Sequence, residues 1–110
     1  MNQIKEMDYR SQCSMLRYIG EVYQRAKKRL DLADYENTVM EKTALYESDS
    51  AFVFLIDRTL QDCSKDTRLI IRNEYLSFSH KEWYRGFYSE STFYRLKRKA
   101  VHEFIDCLNM

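Results

Sequence analysis

The amino-acid sequence predicts an all-α fold: a small helical domain with a C-terminal helix-turn-helix. Three observations carry the prediction. Among 110 residues there are no prolines and only two glycines, too few breakers for the many special turns of a sandwich or barrel. Apolar residues recur at three- and four-residue steps along most of the chain. Hydrophobic residues are 45% and charged residues 32%, the balance of a globular chain rather than a disordered or membrane-spanning one. The length suits one domain, 1–110, with an N-terminal helical part over 8–47 and a helix-turn-helix part over 64–108.

Asp8 to Leu30 reads as one long helix. Met15, Ile19, Val22, Ala26 and Leu30 form its stripe, and Leu16 and Tyr23 widen it. Lys27, Lys28 and Arg29 suit the C-terminal end of the helix dipole. Gly20 costs about 1 kcal/mol of helix propensity relative to Ala, or admits a close helix crossing. The stripe packs on the chain's own core, or it pairs two copies as a homodimer through Asp8–Leu30.

A short helix is expected near Tyr35–Leu45, then a turn with an N-cap at Ser48-Asp49-Ser50. The run Phe52-Val53-Phe54-Leu55-Ile56 could be a buried strand. Phe52, Leu55, Ile56, Leu60 and Cys63 keep helical spacing, so Ala51 to Cys63 reads as a helix. Ser64 would cap the next one, Lys65 to Leu76, which Ser77-Phe78-Ser79 ends. Lys81 to Gly86 reads as a short helix, Phe87-Tyr88 as a turn and Ser89 as an N-cap. The last helix runs from Glu90 to about Cys107.

Ser64 to Leu108 therefore has the grammar of a helix-turn-helix, whose third helix must bury one face and leave a polar or basic face for the major groove. With Phe93 as origin, Leu96, Ala100, Val101, Phe104 and Leu108 fall within an arc of roughly 140°. Opposite lie Ser91, Arg95, Arg98, Lys99 and His102, with Thr92 at the edge. Lys97 offends the pattern, lying inside the apolar arc: either it snorkels to water or the arc is narrower.

Net charge is only +1, so global charge does not announce nucleic acid, but its distribution is uneven. Residues 1–64 hold nine Lys and Arg against eleven Asp and Glu; residues 65–110 hold nine against six. Lys81 to Lys99 holds six bases against two acids. A solvated helix face would explain the basic run alone. Combined with the turn and the opening Ser89-Glu90-Ser91-Thr92, it points to duplex DNA. Hydroxyls and free N–H groups at a helix start contact phosphates. Arg95 reaches guanine edges or a phosphate. The expected DNA-binding residues are Ser89, Ser91, Thr92, Tyr94, Arg95, Arg98, Lys99 and Lys81. Arg95, Ser91 and Thr92 are the candidates for base contact, and Arg98, Lys99 and Lys81 for phosphates.

The stretch Tyr88-Ser89-Glu90-Ser91-Thr92-Phe93-Tyr94-Arg95-Leu96-Lys97-Arg98-Lys99-Ala100 resembles the C-terminal helix of the ArpU/RinA-type phage transcriptional regulators, whose helix-turn-helix is similar to region 4 of bacterial sigma factors. The shared pattern is a capping Ser, Ser or Thr two or three residues on, an apolar-aromatic pair, Arg-Leu-Lys, and Ala before the last core turn. In this resemblance Lys65 to Leu76 matches the preceding helix and Trp83 the core position of the short second helix. Trp83 replaces a usual aliphatic residue, and Gly86 makes the second helix or its turn about one residue shorter. The resemblance covers about 45 residues and implies promoter-proximal duplex DNA binding with contact to RNA polymerase. The alternative is a helical protein-interaction module, a degenerate helix-turn-helix that binds RNA polymerase or another regulator without DNA. Near-neutral charge, Glu90 at the start of the last helix and the long Asp8–Leu30 stripe favour that alternative.

Other chemistry finds little support. Cys13, Cys63 and Cys107 are odd in number and widely spaced, which suits free thiols in a reducing cytoplasm. No CxxC or His/Cys cluster calls for a structural zinc, and no metal or cofactor is expected. His80 and His102 have no ligand partners at metal spacing, and Cys107 lies on a different helix face from His102. No GxSxG, HExxH or phosphate loop occurs, so no catalytic residue is assigned and an enzyme is not expected. Tyr84, Phe87, Tyr88, Phe93 and Tyr94 crowd the turn, as core packing or as a platform for stacking single-stranded bases. The N-terminus carries no signal-peptide pattern, and the longest apolar run is too short for a bilayer.

Overall fold

The computed structural model describes residues 7–35 and 44–108. Among these residues four α-helices carry the fold: α1 (Tyr9–Tyr35), α2 (Ala44–Gln61), α3 (Lys65–Ile71) and α4 (Glu90–Leu108). A π-helical turn over Arg72–Leu76 extends α3, and a single 3₁₀ turn over Trp83–Gly86 precedes α4. No strand occurs among the described residues, and no described helix is long and apolar enough to cross a membrane.

The N-cap of α1 is Asp8, whose Oδ1 accepts the Ser11 N–H at 2.8 Å. That bond holds its carboxyl below the ordinary range. The inward line of α1 is Gln12, Leu16, Gly20, Tyr23 and Ala26, all buried. Met15, Ile19, Val22 and Leu30 are only half-buried. The expected stripe is therefore rotated toward Gly20, and the reason is a backbone contact. A Cβ on Gly20 would lie 2.1 Å from the Tyr75 carbonyl oxygen. Gln24 Nε2 donates to the same oxygen at 3.0 Å. Much of the stripe is thus spent inside the chain, where α1 packs on α2 and on the π turn.

α2 begins well before the expected Ala51. Of the helix expected near Tyr35–Leu45, Tyr35 ends α1, Ala44 and Leu45 open α2, and residues 36–43 lie outside the described residues. Ser48-Asp49-Ser50 is not a turn; it lies within α2. Asp49 is buried there, and the Arg29 guanidinium grips its two oxygens at 2.7 and 2.8 Å. This forked charge-assisted pair meets the carboxylate's need for donors, so the helix runs through a polar triplet that reads locally as a breaker. Val53, Ile56, Thr59 and Leu60 form the buried face of α2. Phe54 and Leu55 are exposed, so the apolar run is a helix and not a strand.

Ser64 occupies the N-cap position of α3 but its hydroxyl makes no capping bond. Glu103 of α4 engages that hydroxyl instead. Its Oε2 accepts the Ser64 N–H at 2.6 Å, and its Oε1 accepts the Ser64 and Thr67 hydroxyls at 2.8 and 2.7 Å. Burial pushes the Glu103 carboxyl up, but these donors outweigh it and hold it below the usual range. The break at Ser77 stands where the sequence suggests, and Ser77 Oγ closes it by donating to the Arg72 carbonyl at 3.0 Å.

Buried side chains from all four helices form one cluster. It includes Leu16 and Tyr23 of α1, Ile56 and Leu60 of α2, Ile70 and Ile71 of α3, and Phe93, Phe104 and Ile105 of α4.

Two predictions follow from these contacts. Gly20→Ala gains about 1 kcal/mol of helix propensity, yet its methyl group collides with main chain rather than a yielding side chain. The variant should lose about 1–3 kcal/mol in urea denaturation; a stabilised variant would refute the close crossing. The Arg29 pair holds the Asp49 carboxyl below its ordinary value. Its stabilisation is therefore complete above the unfolded carboxylate pKa of about 4 and is lost as pH falls through the lower folded value. Arg29 is 46% exposed, so solvent screens the pair from one side. Asp49→Asn should lower the Tm at pH 7 and flatten its fall in acid.

Candidate nucleic-acid interface on the last helix

α4 divides cleanly into two faces. Phe93, Ala100, Val101, Phe104, Ile105 and Leu108 are buried, and Ser91, Arg95, Arg98, Lys99 and His102 are exposed. The N-terminus of α4 is capped by Ser89. Its Oγ accepts the Thr92 N–H at 3.3 Å and donates to Thr92 Oγ1 at 2.9 Å. The hydroxyls of Ser89 and Thr92 are thus engaged with each other, while Ser91 points outward. Glu90 lies in the first turn, where a carboxylate suits the helix dipole. Tyr88 ties this start to α3, its hydroxyl donating to Asp66 Oδ1 at 2.5 Å. Burial first, and that carboxylate second, push the Tyr88 phenol up to about 12.

The expected site residues fare differently. Ser91, Tyr94, Arg95 and Lys99 share the open side of α4 with Ser89 at its start. With the other described residues, Arg95 and Lys99 form no ion pair or hydrogen bond. Arg98 is exposed too, but its guanidinium lies 4.2 Å from the centroid of the Tyr9 ring, a cation–π contact with the first turn of α1. Lys81 is exposed in the turn before Trp83, apart from α4 in sequence.

The second helix of the expected motif is the main correction. Lys81 to Gly86 is not an α-helix; only Trp83–Gly86 is helical, as one 3₁₀ turn. Its residues explain why. His80, Lys81, Glu82, Arg85 and Gly86 are exposed, Trp83 is half-buried, and only Tyr84 is fully buried. One buried ring supports a turn but not a second one. Aromatic contacts hold that turn against α4. Tyr84 stacks on Phe93 with centroids 4.0 Å apart, and Trp83 meets Phe93 edge-on at 5.6 Å. Tyr94 is 55% exposed, with its ring 6.4 Å from that of Tyr84.

Lys97 resolves into neither expected alternative. It is 20% exposed and pairs with Glu74 Oε2 at 3.1 Å, its ammonium 5.9 Å from the centroid of the Tyr75 ring. Glu74 Oε1 accepts the Trp83 indole N–H at 2.7 Å. One carboxylate from the π turn therefore holds both the 3₁₀ turn and α4. A cleft of about 520 Å³ opens beside this node, with Glu74, His80, Tyr84, Glu90, Tyr94 and Lys97 among its walls.

Sequence reasoning missed Glu74 as an organiser, Tyr9 as the partner of Arg98, and a side-chain cluster at the far end of α4. There Cys63, Glu103 and Cys107 bring their ligand atoms within 4.8 Å of one another. The only local signal was Glu103 and Cys107, four residues apart on one helix face. All three cysteines are free thiols.

No family model, curated protein or solved structure matches the chain.

Glu74 offers a direct test. Glu74→Ala leaves the half-buried Lys97 and the Trp83 indole N–H without their acceptor, and should cost about 2–4 kcal/mol. Glu74→Gln keeps an acceptor for Trp83 and should cost less. Trp83 is the sole tryptophan, so its emission should shift to the red in the Ala variant well before global unfolding. An unchanged emission and midpoint would remove Glu74 from its central place.

Proposed function

We propose that the protein is a DNA-binding transcriptional regulator that reads duplex DNA with the outer face of α4. The observation that carries this reading is the pairing of two faces on one helix. Ser91, Arg95 and Lys99 stand exposed on the side opposite the buried line from Phe93 to Leu108. A rigidly anchored helix with a free basic face is what groove insertion requires. In this reading Arg95, Ser91 and Tyr94 approach base edges, and Lys99, Arg98 and Lys81 neutralise phosphates. Ser89 and Thr92 serve chiefly by holding the helix start in shape. The resemblance to the ArpU/RinA-type regulators supports the same reading and adds RNA polymerase as a second partner.

A protein-interaction module is the second reading, and two observations favour it. The helix that would brace the recognition helix against the DNA backbone is reduced to one 3₁₀ turn. Phe78, in the loop before it, is 94% exposed, a large apolar ring of the kind that anchors protein interfaces.

Anisotropy of a labelled random-sequence duplex pool, measured across a salt series, separates the two. On the DNA reading binding falls steeply with salt, and Lys99→Ala lowers the salt slope by about one unit. On a site selected from the pool, Arg95→Ala should cost about 1–3 kcal/mol and relax specificity. Absence of binding at low salt would reject the DNA reading in favour of the interaction module.

A further inference from the structure

At the end of the molecule away from the start of α4, two thiols and a carboxylate converge from distant parts of the chain. Cys63 follows α2, and Glu103 and Cys107 lie one turn apart on α4. The two sulfur atoms and a Glu103 oxygen all lie within 4.8 Å of one another. We propose that Cys63, Cys107 and Glu103 form a three-ligand site for a thiophilic divalent cation of the zinc class, with the fourth position open to solvent.

The donor set has the right chemistry. Two thiolates and one carboxylate select zinc-like ions over magnesium or calcium, which prefer oxygen cages. Zinc–sulfur bonds of about 2.3 Å in a tetrahedron place two sulfurs about 3.8 Å apart. Bringing the two sulfurs to that spacing from within 4.8 Å takes about 1 Å of motion at most. Cys107 and Glu103 are only half-buried, so an ion and its water have a path in.

The surroundings supply the outer contacts such a site needs. A ligating carboxylate works best when its orientation is fixed by hydrogen bonds of its own. Glu103 has three, from the Ser64 N–H and the Ser64 and Thr67 hydroxyls. Cys63 Sγ donates to the Thr59 carbonyl at 3.3 Å, and Cys107 Sγ lies 3.8 Å from the Asp62 carbonyl oxygen. Each proton is given up when a thiolate binds the metal. Charge also balances. Two thiolates and a carboxylate carry three negative charges, a divalent ion supplies two positive ones, and Arg68 supplies the third. Its Nη1 donates to the Cys63 carbonyl at 2.6 Å. A bound ion would join the end of α2, the start of α3 and the last turns of α4. That cross-link between three elements is independent of whether α4 binds DNA.

The test is titration of the reduced, metal-stripped 110-residue chain with Co²⁺, and then with Zn²⁺ in competition. The expected result is one ion per chain, with thiolate-to-cobalt charge-transfer absorption and the d–d bands of a tetrahedral ion. Zn²⁺ should displace the cobalt and raise the Tm. Cys107→Ser, at a half-exposed position, should abolish the charge-transfer band while a thermal melt shows the fold intact. Glu103→Gln should weaken binding at least tenfold. Cys13→Ser, which alters the thiol outside the cluster, should bind as wild type does. Absence of charge-transfer absorption at stoichiometric cobalt would overturn the proposal. So would a band that survives Cys107→Ser or disappears in Cys13→Ser.

Discussion

The architecture depends on how closely α1 approaches the π turn. At Gly20 the helix backbone rests against the Tyr75 carbonyl, with no room for a side chain between them. That carbonyl belongs to a widened turn, and Gln24, one helical turn along α1, supplies it with a donor. A long helix is thereby seated directly on main chain instead of on a layer of side chains. This seating rotates α1 so that Leu16, Tyr23 and Ala26 face the core. It also brings Tyr9, at the opposite end from the Arg29–Asp49 pair, over the outer side of α4.

The C-terminal half is organised by polar bonds as much as by its apolar core. Glu74 reaches from the π turn to both Trp83 and Lys97, and Glu103 reaches from α4 back to the start of α3. Both carboxylates are partly shielded and fully provided with donors, which is where such bonds gain most over their aqueous competitors. Their effect is to fix α4 at two levels along its length. The outward residues Ser91, Arg95 and Lys99 are then carried on a helix with little freedom to roll.

The sequence made the helices legible wherever one apolar face repeated. α1 and α4 stand out for this reason, and the division of α4 into Phe93-to-Leu108 and Ser91-to-His102 faces is visible in the spacing alone. Local signals failed where a distant residue supplied what they lacked. Ser48-Asp49-Ser50 reads as a turn because its Arg29 partner lies twenty residues away. Ser64 reads as a self-sufficient cap because Glu103 lies beyond local range. The short second helix was overextended because Lys81 to Gly86 has adequate propensity but only one fully buried residue, Tyr84. Of the candidate interface, the basic residues were readable. That Arg98 is shared with Tyr9, and that Lys97 is committed to Glu74, depended on tertiary neighbours.

The contact between Arg98 and Tyr9 makes the outer face of α4 responsive to the beginning of the chain. The Tyr9 ring is half-buried and the Arg98 guanidinium exposed, so the contact holds by about 1 kcal/mol, little enough for a phosphate to compete for it. An anion that draws Arg98 away must leave the Tyr9 ring without its cation, so the first turn of α1 loses a tether as the ligand gains one. Thermodynamic reciprocity then works in the other direction as well. If α4 binds phosphates as proposed, an event that loosens or covers Tyr9 changes that affinity by the factor with which the phosphate changes the hold on Tyr9.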